Sequence, residues 1–197
     1  ALGIRYLAAN MGELRPQTRI VEFVAGTRAA DIAEKLLSHE PRVIGLSVYI
    51  WNVEETTRLV AHLKAVASHV TIVVGGPEVS HETVSQRVCA LADYVVTGWG
   101  DLAFAELCRT LFAGERPASK IIAGGQPPLS SIRLPYAEYT DEDVAKRFLY
   151  VEASRGCPFK CEFCLSSLDR TAWPFDVEPF IRELEALHSR GARHFRF

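Results

Sequence analysis

Three cysteines within eight residues carry the clearest chemistry in this 197-residue chain. They stand in Arg155-Gly156-Cys157-Pro158-Phe159-Lys160-Cys161-Glu162-Phe163-Cys164, a C-x3-C-x2-C loop. Thiolates at this spacing can converge on one compact centre. A structural zinc ion normally takes four protein ligands, and a fourth would have to come from a distant group such as His188 or His194. A 4Fe-4S cluster can take three thiolates on three irons and leave the fourth iron open for a ligand that is not protein. An open iron points to catalysis, a closed zinc site to structure. The remaining cysteines, Cys89 and Cys108, fall in helical patterns, where a free thiol is ordinarily a small apolar core group.

Glycine turns at strand ends form the second candidate group, because backbone without side chains can approach a flat ligand or a phosphate closely. In a doubly wound α/β sheet, ligands sit beyond the carboxyl ends of the strands. The segments at those predicted ends are Ser47-Val48-Tyr49-Ile50-Trp51-Asn52, Gly75-Gly76-Pro77-Glu78 and Thr97-Gly98-Trp99-Gly100-Asp101. Ser47, Tyr49, Trp51, Asn52, Gly75, Gly76, Gly98 and Gly100 are the candidate contacts. The plainer reading is that the glycines merely link strand to helix and that Tyr49 and Trp51 cap a core.

The elements that must position these residues follow from periodicity. Uninterrupted β-branched runs predict strands at Arg19–Val24, Val43–Ile50, Val70–Gly75 and Tyr94–Thr97, buried on both faces. Helical patterns alternate with them at Ile4–Leu14, Asp31–His39, from Asn52 through Ala67, Glu82–Leu91 and Leu102–Phe112. Asn52 is placed as a helix N-cap with Glu55 as its capping-box partner. The alternation predicts a doubly wound parallel sheet. Such sheets normally begin with an interior strand, so a strand upstream of Ala1 is expected; the alternative is a terminal helix packed on a four-stranded sheet. Residues 1–113 read as this domain, and 114–147, punctuated by Pro117, Gly124, Gly125, Pro127, Pro128 and Pro135, read as a connector. From 148 to 197 a strand (Phe148–Ser154) leads into the cysteine loop. A helix (Val177–His188) and the start of another strand (Ala192–Phe197) follow, the opening of a second domain.

Composition bounds the partners. Lys and Arg number 22 against 24 Asp and Glu, giving a net charge of −2, so no field is available to gather nucleic acid or an anionic membrane. The apolar run Val43–Ile50 is far shorter than the roughly 20 residues of a bilayer span. Nothing at Ala1–Arg5 resembles a secretory signal, and clustered thiols suit a reducing compartment. A cytoplasmic protein with a small-molecule substrate is expected.

The cysteine loop resembles the motif of the radical S-adenosylmethionine (SAM) superfamily, C-x3-C-x-aromatic-C after the first strand of a partial (β/α) barrel. Phe163 stands at the aromatic position and Phe148–Ser154 at the strand. The resemblance implies that Cys157, Cys161 and Cys164 ligate a 4Fe-4S cluster and that the open iron chelates SAM, with Phe163 near its adenine. It also implies reductive cleavage of SAM to methionine and a 5'-deoxyadenosyl radical, with electrons from a donor such as flavodoxin or ferredoxin.

The first domain resembles the flavodoxin-like cobalamin-binding domain that precedes the radical domain in one class of these enzymes. Ser47-Val48-Tyr49 stands at its S-x-L position and Gly75-Gly76 at its G-G, with 27 residues between Ser47 and Gly75. Gly98-Trp99-Gly100-Asp101 resembles the G-E-G-E turn and departs from it at Trp99. In that family a D-x-H-x-x-G loop supplies a cobalt-ligating histidine. Its last glycine would fall near Gly3, placing the histidine ahead of Ala1; none of His39, His62, His69 or His81 matches. The resemblance implies an iron-sulfur oxidoreductase or methyltransferase, related to the anaerobic magnesium-protoporphyrin monomethyl ester cyclase, whose later barrel strands lie beyond Phe197, so this stretch alone should not turn over. The alternatives are a radical enzyme whose first domain holds no cobalamin, and a non-enzymatic flavodoxin-like receiver domain with structural zinc. A receiver needs a phosphoacceptor aspartate at a central strand end, and no predicted strand ends in one.

Overall fold

A computed structural model describes residues 1–164 and 171–197. Packing divides the chain into two units, 10–126 and a second made of 1–9 with 127–197.

The larger unit is built on a four-stranded parallel sheet in the order β1 (Val43–Ser47), β2 (Thr71–Gly75), β3 (Tyr94–Thr97), β4 (Ile121–Ala123). Between them run α3 (Val53–Val66), α4 (Arg87–Leu91) and α5 (Gly100–Phe112), with α2 (Ala29–Leu37) ahead of β1. Side chains alternate across a strand, and the core divides accordingly. Ile44, Ile72, Val74 and Val95 pack with Ala33 of α2, Leu59, Val60 and Leu63 of α3 and Val88 of α4. On the other face Val73, Tyr94 and Val96 meet Leu107 of α5, while Met11 and Leu14, from a 3-10 turn at Gly12–Gln17 and the residue before it, meet Ala105 and Cys108. Helices thus cover both faces, as parallel strands rich in valine and isoleucine require.

Several sequence expectations are corrected here. Arg19–Val24 is not a strand. It has no regular secondary structure, and β1 is an edge strand, with no strand on its outer side among the described residues. A β-branched run becomes a strand only when a neighbour completes its hydrogen bonds. The fourth strand is instead β4, from the stretch read as connector, where Val95 donates to the Lys120 carbonyl as the ladder opens. The helix expected over Glu82–Leu91 shrinks to α4, because Glu82 sits at φ 49° and the Ser85 hydroxyl bonds its carbonyl.

The second unit gathers α1 (Leu2–Ala9), α6 (Asp141–Lys146), α7 (Val177–Ser189) and short strands. β5 (Leu149–Tyr150) pairs in parallel with β8 (Phe195–Arg196), and β6 (Ser154–Gly156) pairs antiparallel with β7 (Ala172–Pro174). The strand expected over Phe148–Ser154 is therefore two strands with different partners. Between them the Tyr136 hydroxyl donates to the Glu152 carbonyl and accepts from the Glu152 N–H, both at 3.1 Å, replacing ladder bonds at the changeover. Tyr136, Tyr139, Leu149, Val151, Phe180 and Leu187 form the core, with Leu2 of α1 packed against it. The helix expected over Ile4–Leu14 ends at Ala9, and the 3-10 turn follows in the other unit. Among the described residues no helix is long and apolar enough to cross a membrane.

Arg5, only 3% exposed, anchors α1. Its guanidinium donates to Asp143 at 2.8 Å and lies 4.5 Å over the Tyr139 ring. Asp143 also closes a capping box with Thr140 at the start of α6. Burial alone would raise the Asp143 pKa, but hydrogen bonds from Arg5 and Thr140 outweigh it and hold the carboxyl below its ordinary value. A depressed carboxylate contributes stability above its unfolded pKa and loses it as pH falls through the folded one. Breaking a buried pair from one side is expensive. Asp143→Asn is expected to lower the unfolding free energy of this unit by about 3 kcal/mol at pH 7 and by much less at pH 3, measured by urea denaturation at the two pH values.

Candidate functional site

The parallel register brings the carboxyl ends of all four strands to one edge. Ser47 lies beside Gly75, Gly75 beside Val96, and Thr97 beside Ala123. Ser47 and Gly75 are the last residues of β1 and β2, Gly100 is the first of α5, and Tyr49, Trp51, Asn52, Gly76 and Gly98 lie in the loops that leave this edge.

Those loops are held by backbone. Val48, fully buried, donates to the Gly75 carbonyl at 2.7 Å and accepts from the Glu78 N–H at 3.4 Å. Gly76 has φ 117°, and a Cβ there would lie 2.5 Å from the Val48 carbonyl oxygen. Its lack of a side chain is thus required by loop-on-loop packing, a role that the sequence expectation of close ligand approach does not include. The Ser80 hydroxyl donates to the Gly76 carbonyl at 2.9 Å and accepts from the Gly98 N–H at 3.0 Å, tying the second and third loops together. Sequence reasoning missed Ser80, whose only signal is its position four residues after Gly76.

Asn52 directly precedes α3, as expected of an N-cap, but the expected capping box is absent. Its carboxamide turns back into the preceding loop, accepting from the Tyr49 N–H at 2.7 Å and donating to the Ser47 carbonyl at 3.0 Å. The side chain spends its two ends on one tight loop and so cannot reach the first-turn amides. On that loop the Tyr49 and Trp51 rings stack, 4.7 Å between centroids and 8° from parallel. Ile50 and Trp51 are 74% and 75% exposed. Asp101, in the first turn of α5, is buried.

The exposed Trp51 ring thus lies stacked on a half-buried Tyr49 at this loop edge. Ser47, Gly75, Gly76 and Gly100 are half-buried there and Gly98 is exposed, so backbone and small side chains remain within reach of a ligand.

The cysteine loop is less organised. Cys157 and Cys164 are half-buried, Cys161 is exposed, and none of the three is in a disulfide. The Cys164 N–H donates to the Cys161 carbonyl at 3.1 Å, forming a turn. Among the described residues no group of three or more His, Cys, Asp or Glu side chains is placed to hold a metal, so the thiols are not gathered at a point, with one another or with His188 or His194. Phe163 is 94% exposed. The donor set of three cysteine thiols within eight residues nevertheless fits a metal cluster chemically, and ligands of such loops are drawn together by the metal itself. Cys89 and Cys108 are buried in the larger unit; burial pushes the Cys108 thiol up to about 11.

Comparison with known proteins bears on both features. The family model of the B12 binding domain matches residues 1–108. The chain is similar to the uncharacterized methyltransferase PH0819 of Pyrococcus horikoshii, 30% identical over 95% of this chain and 45% of that protein. It is also similar to the cobalamin-dependent radical SAM methyltransferase TokK of Streptomyces tokunonensis, 28% identical over 64% of this chain and 22% of that protein. The solved structure of the radical SAM methyltransferase TsrM from Kitasatospora setae superposes over 97% of this chain and 44% of its own with a TM-score of 0.67 at 15% identity, a likeness of fold. The chain spans less than half the length of these relatives. It belongs to the B12-binding domain family and is related to the cobalamin-dependent radical SAM methyltransferases.

The packing of Gly76 on Val48 makes a prediction independent of any ligand. Gly76→Ala is expected to destabilise the larger unit by about 2 kcal/mol, since a side chain is both strained at this φ and in collision with backbone. Urea denaturation without cofactor measures it; an unchanged midpoint would contradict the packing account.

Proposed function

We propose that this chain is the cobalamin-binding and cluster-bearing part of a radical SAM methyltransferase acting on a small molecule. The observation that carries this reading is a B12-binding domain followed on one chain by a C-x3-C-x2-C loop. The similarity to TokK supports it, and it favours methyl transfer over the broader oxidoreductase chemistry.

Under this reading Cys157, Cys161 and Cys164 hold a 4Fe-4S cluster, whose open iron takes SAM, and Phe163 lies near the adenine. Ser47, Gly75 and Gly76 line the slot for the nucleotide tail of cobalamin, and Gly98 and Gly100 close its far side. Tyr49, Trp51 and Asn52 meet the corrin. When bound, the cluster supplies the electron that cleaves SAM and the corrin supplies a carrier for the methyl group. The chain's own part is positional. Asn52 clamps the loop so that the Tyr49–Trp51 pair is presented as one surface at little further entropic cost. Ser80 couples the loops that carry Gly76 and Gly98. The βαβ unit of β5, α7 and β8 is the first of a partial barrel. A flavodoxin or ferredoxin delivers the electrons.

Trp51 gives the direct test at the cobalamin site. Aromatic stacking contributes about 0.5–1.5 kcal/mol beyond area burial, so Trp51→Ala is expected to weaken hydroxocobalamin binding roughly three- to tenfold in a spectral titration of the intact protein, leaving the urea midpoint unchanged. Equal affinity would remove Trp51 from the site, and no binding by either form would favour a first domain that holds no cobalamin.

A further inference from the structure

The cysteine loop springs from a built neck. β6 and β7 close it, with Ser154 beside Pro174, Arg155 beside Trp173 and Gly156 beside Ala172. At the last pair Gly156 has φ 83°, and a Cβ there would run into the Thr171 carbonyl, so the two arms meet backbone to backbone. Cys157 is the next residue.

Arg155 lies two residues before Cys157, yet its side chain is only 13% exposed. Its Nε donates to Glu152 at 2.9 Å. Its guanidinium lies 4.5 Å from the centroid of the Tyr6 ring and 5.8 Å from that of Phe175, and those rings are themselves stacked 6.2 Å apart. Glu152 is fixed in turn through its backbone by the Tyr136 hydroxyl. Residues far apart in the chain, on α1 and after β7, thus converge on one guanidinium. A planar, forked cation suits this place, since it can lie flat on aromatic rings while bonding a carboxylate at its edge; an ammonium cannot do both.

We propose that Arg155 is a positioning residue for the cysteine loop, fixing with Glu152, Tyr6 and Phe175 the anchor from which Cys157, Cys161 and Cys164 reach a metal cluster. This rests on the reading of those cysteines as cluster ligands. The physical reason is preorganisation: a loop whose ends are already fixed loses less freedom when its thiols close on a metal. Residues that orient metal ligands without touching the metal typically change affinity by about 10–100-fold when replaced.

The test uses the intact protein reconstituted anaerobically with iron and sulfide, comparing wild type, Arg155→Lys, Arg155→Gln, Glu152→Gln and Cys161→Ala. Iron content, the rate of iron release to a chelator, the line width of the reduced cluster's electron paramagnetic resonance signal and the melting of the metal-free protein are read together. Cys161→Ala is expected to hold no cluster. Both Arg155 variants are expected to release iron at least about tenfold faster with a broadened signal, while metal-free melting falls by only about 2–4 °C. Lysine should not rescue, because the flat face is what it lacks. If Cys161→Ala retains wild-type iron, the ligand reading itself fails and the anchor with it. If Cys161→Ala is empty while both Arg155 variants hold iron like wild type, the cluster stands and the anchor is overturned. Should Arg155→Gln lose its folding transition, Glu152→Gln decides: faster release upholds the anchor and unchanged release overturns it.

Discussion

The parallel register of one small sheet is the constraint on which the larger unit depends. Because β1 to β4 run the same way and in step, their last residues form a single row, and every loop that leaves them leaves together. Parallel strands need long crossovers, so α3 and α5 follow closely on the loops leaving this edge, while a longer loop precedes α4. The row would be a rim of unpaired backbone groups were the loops not bonded to one another. Val48 reaches Gly75 and Glu78, and Ser80 reaches Gly76 and Gly98. The loops are therefore tied to one another by these bonds, and Ile50, Trp51 and Val84 put apolar side chains outward from them.

The second unit solves a different problem, that of holding a long loop of accessible thiols on a small core. Its strands are two and three residues long and cannot do this by pairing alone. Buried charge and aromatic rings supply the rest: Arg5 on Asp143 under Tyr139, and Arg155 on Glu152 over Tyr6. Both arrangements use α1, which is why a helix at the start of the chain packs with its end. The β6–β7 pairing ends at Gly156, immediately before Cys157.

Much of this was legible in sequence. The runs at Val43, Val70 and Tyr94 became β1, β2 and β3 because continuous β-branched residues buried on both faces leave few alternatives, and Val177–His188 became α7 for the clarity of its apolar face. Arg19–Val24 misled because a β-branched run says nothing of whether a partner lies beside it. β4 was hidden by its shortness among prolines and glycines. Asn52 was placed correctly at the start of α3, but its side chain had two possible uses, and the choice of loop over helix depends on atoms three and five residues back. The three cysteines and the glycine turns announce themselves by spacing. Ser80, Glu152 and Arg155 do not, since their roles come from contacts across the fold.

The central claim is that one chain carries both a cobalamin site and a three-thiol iron-sulfur site. Its most direct test is an ultraviolet-visible spectrum with iron, sulfide and cobalt analysis of the intact protein, reconstituted anaerobically and then equilibrated with hydroxocobalamin. The account predicts an iron-sulfur absorption with about four irons per chain, together with a corrin spectrum and about one cobalt. Protein that carries zinc alone, with neither iron-sulfur nor corrin absorption, would contradict it.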